Sequence, residues 1–186
     1  MFFVNNNEEL YHTIAAVATP SGEGAIGIVR VSGKEALEKV GAILSENLFS
    51  YKSHTAHLGY VKEADGHIVD QVLVLLMRAP SSFTGEDVVE LQCHGGELIV
   101  KKILQLLLDK GVRLAHPGEF SMRSFLNGKI DLAQAEAIQQ VIGARSEKAL
   151  KEAQLQLRGQ LSIYIQALQN QLVQKIAFLE ASLDFP

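Results

Sequence analysis

The chain has 186 residues, of which 47% are hydrophobic and 20% are charged, a balance typical of a soluble globular protein with a substantial core. Its single cysteine, Cys93, excludes an internal disulfide and a zinc cluster built from cysteines, which favours a cytoplasmic location. The formal net charge of −4 is not that of an autonomous nucleic-acid binder. The sequence has no lysine or arginine before Arg30 that could form a basic leader. It also has no apolar run long enough to cross a bilayer.

Short strand-like runs and two helical patterns alternate over the first 120 residues. Strands are predicted over Thr13–Ala18, Ile26–Val31, His57–Glu63, Ile68–Arg78, Val88–Cys93 and Val112–Ala115. Asp65-Gly66 is a hairpin-turn signal between the third and fourth of these strands. The mixture and order of the elements indicate an α+β domain with a mixed sheet.

Two helices are predicted between these strands. Ser32 followed by Glu35 is typical of a capping box and predicts a helix that runs to about Leu44. A second helix is predicted by apolar residues with a helical period, and it ends at Gly111. The residues of that second pattern are Ile99, Ile103, Leu106 and Leu107.

The composition changes after about residue 120. No proline occurs between Asp131 and Leu183, and leucine and isoleucine recur there at steps of three, four and seven. From Leu150 to Leu183 this pattern predicts one long amphipathic helix with an apolar seam. We therefore predict two domains, residues 1–120 and residues 121–186.

A glycine pattern over Gly22, Gly24 and Gly27 matches the dinucleotide-binding motif G-x-G-x-x-G. That motif requires a helix directly after the glycines, whereas strand-like sequence follows here. The glycines therefore predict a tight turn between adjacent strands. The sequence contains no G-x-x-x-x-G-K-[ST] phosphate loop, so we predict no catalytic GTPase residues in this chain.

Cys93 and His94 are a candidate metal-binding or nucleophilic pair. Adjacent residues of a strand point to opposite faces of the sheet, so the two side chains would not share one ligand. The pattern favours a buried cysteine at a strand end and a polar histidine in a turn, and no metal site is predicted.

Three charged residues stand in apolar or tightly turning sequence: Arg30, Glu90 and Lys129. One interpretation places each at an exposed position on the polar face of a half-buried sheet. The other is a pocket in which a carboxylate accepts two donors from a pterin-like edge and the cations hold carbonyl or carboxylate oxygens.

Several ordered segments together resemble one protein family. They are Thr13–Pro20, Gly27–Gly33, Ser82–Gly96, Arg113–Ser121, Phe125–Ala137 and Leu183–Pro186. The family is that of the MnmE (TrmE) tRNA-modification GTPases, and the resemblance covers its N-terminal folate-binding domain and the first part of its helical domain. The resemblance implies that the GTPase domain is absent from this chain.

The resemblance also implies what the whole protein does. It would be a cytoplasmic, homodimeric, potassium-activated GTPase that binds GTP and magnesium outside this chain. With an FAD-dependent partner, MnmG (GidA), it would form a heterotetramer-type complex that modifies carbon 5 of the wobble uridine of tRNA. This portion would bind 5-formyltetrahydrofolate and dimerise, with Arg30, Glu90 and Lys129 as folate contacts.

Two alternatives stay open at this point. The chain could be a structural dimerisation or docking module without a ligand. It could also be a stand-alone folate-dependent one-carbon transferase.

Overall fold

The computed structural model describes residues His12–Asp184. The chain divides into two compact units at the junction between Arg123 and Ser124. The first eleven residues of the predicted 1–120 domain, and the end of the last family-like segment, Phe185-Pro186, lie outside the described residues.

The first unit is built on a six-stranded sheet with the order β3-β4-β5-β2-β1-β6. Its strands are β1 Ile14–Val17, β2 Ile26–Ser32, β3 Thr55–Lys62, β4 Ile68–Met77, β5 Val88–His94 and β6 Arg113–Leu114. The strand β1 pairs parallel with β6, and the other neighbouring strands pair antiparallel. The prediction of an α+β fold with a mixed sheet is therefore confirmed.

The hydrophobic core lies on one face of this sheet, which packs against α1 (Ala36–Gly41) and α2 (Glu97–Asp109). Successive strand residues alternate between the faces, so every second residue enters this core. The core members from β2, β4, β5 and α2 are Val29, Val31, Val72, Val74, Leu76, Val89, Leu91, Cys93, Val100, Ile103 and Leu107. We call the opposite face of the sheet the outer face, and it carries the intervening residues, including Arg30 and Glu90.

The glycine-rich segment forms the connection between β1 and β2, which are adjacent and antiparallel. Gly22 has a φ of 126°, a conformation that L side chains rarely adopt. The prediction of a turn between neighbouring strands is confirmed. The hairpin predicted at Asp65-Gly66 is present too, since the Glu63 N–H donates to the His67 carbonyl at 2.9 Å.

The capping box predicted from Ser32 and Glu35 is wrong. Ser32 is the last residue of β2, and its hydroxyl shares a 2.7 Å hydrogen bond with Thr84 and donates to Glu86 at 2.7 Å. Helix α1 begins only at Ala36 and has no side-chain cap. The Glu35 N–H instead donates to the Thr13 hydroxyl at 3.1 Å, so tertiary contacts have taken over the role of the local cap.

Four more helices follow: α3 Glu119–Leu126, α4 Leu132–Gly143, α5 Glu147–Leu157 and α6 Gln160–Asp184. The junction of the two units falls within α3, which the sequence pattern did not predict. The prediction of one long helix from Leu150 to Leu183 is wrong, because Gly159, with a φ of 77°, separates α5 from α6. The apolar spacing continues across this break and hid it.

Local caps and side-chain bonds hold the helices of the second unit. Asp131 forms a full capping box with Gln134 at the start of α4. Its other carboxylate oxygen accepts the hydroxyl of Ser162, in α6, at 2.5 Å. The Ser162 hydroxyl, and less strongly the Gln134 N–H, hold the pKa of Asp131 below its ordinary value. None of the 25 residues of α6 is buried.

From His12 to Asp184, no helix combines the length and the apolar character that crossing a bilayer requires.

Candidate ligand-binding site

The outer face carries a charged pair formed by Arg30 of β2 and Glu90 of β5. The two residues lie directly opposite each other in the antiparallel register of these strands. Both Nε and one terminal nitrogen of Arg30 lie 2.7 Å from Oε1 of Glu90. Cross-strand neighbours stand about 4.5–5.5 Å apart at Cβ, so the sheet register itself creates this contact.

The carboxylate of Glu90 is largely removed from solvent, with 11% of its side chain exposed against 32% for Arg30. The interpretation of Glu90 as an exposed residue of a polar sheet face is therefore wrong. A buried charge is costly unless it is paired and hydrogen bonded, and Arg30 provides that compensation. Both contacts of Arg30 fall on Oε1 of Glu90 and neither on Oε2.

Two aromatic rings flank Arg30. Its guanidinium carbon lies 6.0 Å from the centre of the Phe83 ring and 5.7 Å from that of Phe120. Phe83 is carried by the loop between β4 and β5, and Phe120 by α3. At these distances a guanidinium is attracted to an aromatic face. The site thus joins a carboxylate, a cation and two flat apolar surfaces.

Sequence reasoning did not identify either phenylalanine. The two residues are far apart along the chain, and only the tertiary fold brings both beside β2. The signal available in the sequence was that both lie in family-like segments, Phe83 in Ser82–Gly96 and Phe120 in Arg113–Ser121.

A buried ion pair lies next to these rings in the chain. Arg123 and Glu119, both of α3, have 2% of their side chains exposed and lie 3.0 Å apart. Burial raises the pKa of Glu119, but hydrogen bonds from Arg113, the His116 backbone and Arg123 outweigh it and hold the pKa below its ordinary value. Glu119 is thus a carboxylate that stays ionised inside the protein.

Lys129, the third predicted ligand contact, lies in the turn between α3 and α4 and is exposed. It belongs to the second compact unit, whereas Arg30 and Glu90 belong to the first. The structure brings Arg30 and Glu90 together, and the convergence of all three residues stays a prediction.

Cys93 and His94 have different environments. Cys93 is buried in the core, and desolvation, together with the nearby charge of Asp70, raises the pKa of its thiol to about 11. His94 ends β5 instead of lying in a turn, and 70% of its side chain is exposed. Its Nδ1 lies 2.7 Å from Oδ1 of Asp70, whose second oxygen accepts the His94 N–H. A protonated buried thiol is no nucleophile.

A concavity of about 430 Å³ lies between the glycine-rich loop and the start of α2. Here the backbone approaches itself closely, since a Cβ on Gly95 would stand 2.3 Å from the Gly24 carbonyl oxygen. This approach explains why the position after β5 is the glycine Gly95.

The fold and the site define an α+β domain with a charged, ring-flanked pair on its outer sheet face, followed by a helical unit. A family model described as "GTP-binding protein TrmE N-terminus" matches residues 13–129, and one described as "MnmE helical domain" matches residues 132–186. The chain belongs to the MnmE (TrmE) family of tRNA modification GTPases.

Individual relatives named tRNA modification GTPase MnmE are similar over nearly the whole chain. The protein of Protochlamydia amoebophila is 53% identical over 174 residues, which is 94% of this chain and 38% of that protein. The Carboxydothermus hydrogenoformans protein is 52% identical over 179 residues and that of Chlamydia caviae 55% over 174, in each case 94% of this chain and 39% of the relative. The chain thus spans about two fifths of the length of these relatives.

Proposed function

We propose that this chain is the folate-binding and dimer-forming portion of a GTPase that modifies carbon 5 of the wobble uridine of tRNA. The observation that carries the folate proposal is the Arg30–Glu90 pair, with its largely buried carboxylate, beside Phe83 and Phe120. The proposed ligand is 5-formyltetrahydrofolate or a related one-carbon folate.

The chemistry of the pair suits a pterin. A carboxylate accepts two donors, and the ring N–H and exocyclic amine of a pterin present two donors side by side. Glu90 would take these donors while Arg30 holds the carboxylate in place and meets a carbonyl oxygen. The rings of Phe83 and Phe120 would pack against the flat heterocycle. Lys129 is proposed as a further contact on the family resemblance.

The dimer proposal is supported by the same outer face. Leu58 of β3 lies directly opposite Leu73 of β4, and Leu73 in turn lies opposite Gln92 of β5. Leu58 is 60% exposed and Leu73 39%, with Tyr60 at 36% beside them. Apolar patches on a protein surface mark association sites, and we propose that a second copy covers this patch.

For the whole protein, the proposal includes a homodimer that binds GTP, potassium and magnesium through sequence outside this chain. It includes a cytoplasmic complex with the FAD-dependent MnmG (GidA) partner, through which tRNA is bound. These statements rest on membership of the family.

Titration calorimetry with 5-formyltetrahydrofolate tests the proposal. Glu90→Ala leaves the pterin donors without acceptors in a largely dry site, which costs about 1–3 kcal/mol of binding free energy. Glu90→Gln retains one acceptor and loses less. Glu97→Ala, which removes an exposed carboxylate at the start of α2, is the matched control and should bind as the wild type does.

Equal affinity of wild type and Glu90→Ala would end the assignment of Glu90 as a ligand contact. No binding to the wild type would favour the ligand-free docking module. Analytical ultracentrifugation of the wild type and of Leu58→Lys tests the dimer. Leu58→Lys should shift the protein towards monomer. A dimer of unchanged stability would show that the interface does not lie on the outer face.

A further inference from the structure

One buried guanidinium connects the segments that surround the candidate site. Arg123 donates to Glu119 Oε1 at 3.0 and 3.3 Å and to the two oxygens of Glu86 at 3.2 and 3.1 Å. It also donates to the His12 carbonyl at 2.8 Å. Among side chains only the planar guanidinium of arginine carries five N–H donors, and Arg123 directs them to these three partners.

The two carboxylates belong to the segments that carry the rings. Glu119 directly precedes Phe120 in α3, and Glu86 follows Phe83 in the connection between β4 and β5. Glu86 also accepts the hydroxyl of Ser32 at 2.7 Å, and Ser32 lies two residues beyond Arg30 on β2. Arg123 thus joins the two ring-bearing segments to each other, and the bond from Ser32 to Glu86 joins one of them to the strand of Arg30.

We propose that Arg123 is a positioning residue of the ligand site: it holds Phe83 and Phe120 against Arg30 without touching the ligand. Ion pairs buried this deeply contribute little net stability, since desolvation opposes the Coulombic gain. We infer that these ion pairs fix positions instead, because loss of the Arg123 guanidinium would let the connection between β4 and β5 move independently of α3. The effect on ligand affinity rests on the proposed folate function, but the effect on ring geometry does not.

The test uses the full 186-residue chain and the substitution Arg123→Lys, which retains the charge and loses the fork. Arg78→Lys is the control for the loss of a guanidinium away from the rings, because Arg78 is half-buried and donates to two backbone carbonyls, those of Phe49 and Tyr51. Thermal unfolding of both variants measures the purely structural cost.

The first readout is the NMR signal of the Arg30 Nε–H. This proton is held by Glu90 and lies near both rings, so ring currents set its chemical shift. We expect Arg123→Lys to move this signal and Arg78→Lys to leave it in place. The second readout is calorimetry with 5-formyltetrahydrofolate, in which Arg123→Lys should weaken binding roughly tenfold, or about 1.4 kcal/mol, and Arg78→Lys should bind as wild type.

An unmoved Arg30 signal in folded Arg123→Lys overturns the proposal, whatever the affinity. A moved signal with unchanged folate affinity also overturns it, since the ring positions would then not matter to the ligand. If the wild type binds no folate, the proposed function fails, and the NMR signal alone decides whether Arg123 positions the rings. Should Arg123→Lys not fold, Glu86→Gln, which weakens the contact of Arg123 to the segment of Phe83, is measured in the same way with the same expected shift.

Discussion

Gly27 of β2 lies where α2 packs against the sheet, and replacing it by alanine tests how closely these elements approach. A Cβ at this position would stand 2.4 Å from Cγ2 of Val100 and 3.4 Å from the Cys93 sulfur. Carbon atoms in good contact are about 3.5–4.0 Å apart. Val100 is β-branched and sits in a helix, where one rotamer strongly dominates, so relief requires a shift of α2.

Overpacking of this kind costs about 1–3 kcal/mol, and the lower entropy of the unfolded alanine chain offsets about 0.4–1 kcal/mol. We expect Gly27→Ala to lower the stability of the first unit by about 1–2 kcal/mol, and the melting temperature by about 2–4 °C per kcal/mol. Differential scanning calorimetry measures both. Gly41→Ala is the control, because a Cβ there meets no atom within 4 Å.

The decisive experiment is the double variant Gly27→Ala/Val100→Ala. If the clash is with Val100, the two changes are strongly non-additive and the second rescues part of the first. Purely additive effects, or a Gly27→Ala protein as stable as wild type, would refute the reasoning from the close approach.

Two further predictions follow from shifted pKa values. Because burial raises the pKa of Cys93 to about 11, its thiol should react with a disulfide reagent at pH 8 far more slowly in the native than in the denatured chain, and equal rates would contradict its burial. Because the folded pKa of Glu119 lies below the ordinary value of 4.5, its stabilisation is complete above that value and is lost as the pH falls through the folded pKa. Urea titrations should show stability falling more steeply below pH 4.5 in wild type than in Glu119→Gln, and parallel curves would exclude Glu119 as the cause.

The sheet could be predicted from the sequence because its strands combine apolar alternation with glycine turns. Arg30 and Glu90 were identified as candidates for the same reason, since charges inside such runs are conspicuous. Their pairing could not be predicted, because it depends on the register between β2 and β5. Phe83 and Phe120 were missed because nothing local links residues that far apart.

The helical errors have local causes. The seam continued in phase through Gly159, so the periodicity concealed a break that depends on the positive φ of that glycine. The helix α3 has only eight residues, too few for a periodic pattern to emerge. Ser32 was assigned to a cap because the sequence does not show that its hydroxyl is bound by Thr84 and Glu86.

The alternation along β5 has a consequence for how such a domain can change. Leu91 is buried in the core, whereas its neighbours Glu90 and Gln92 face the other side of the sheet. Substitutions on the two sides share few side-chain partners, so their effects on folding and on binding are expected to combine additively. A lineage could therefore retune ligand preference residue by residue along one side of a strand while the other side keeps the domain folded.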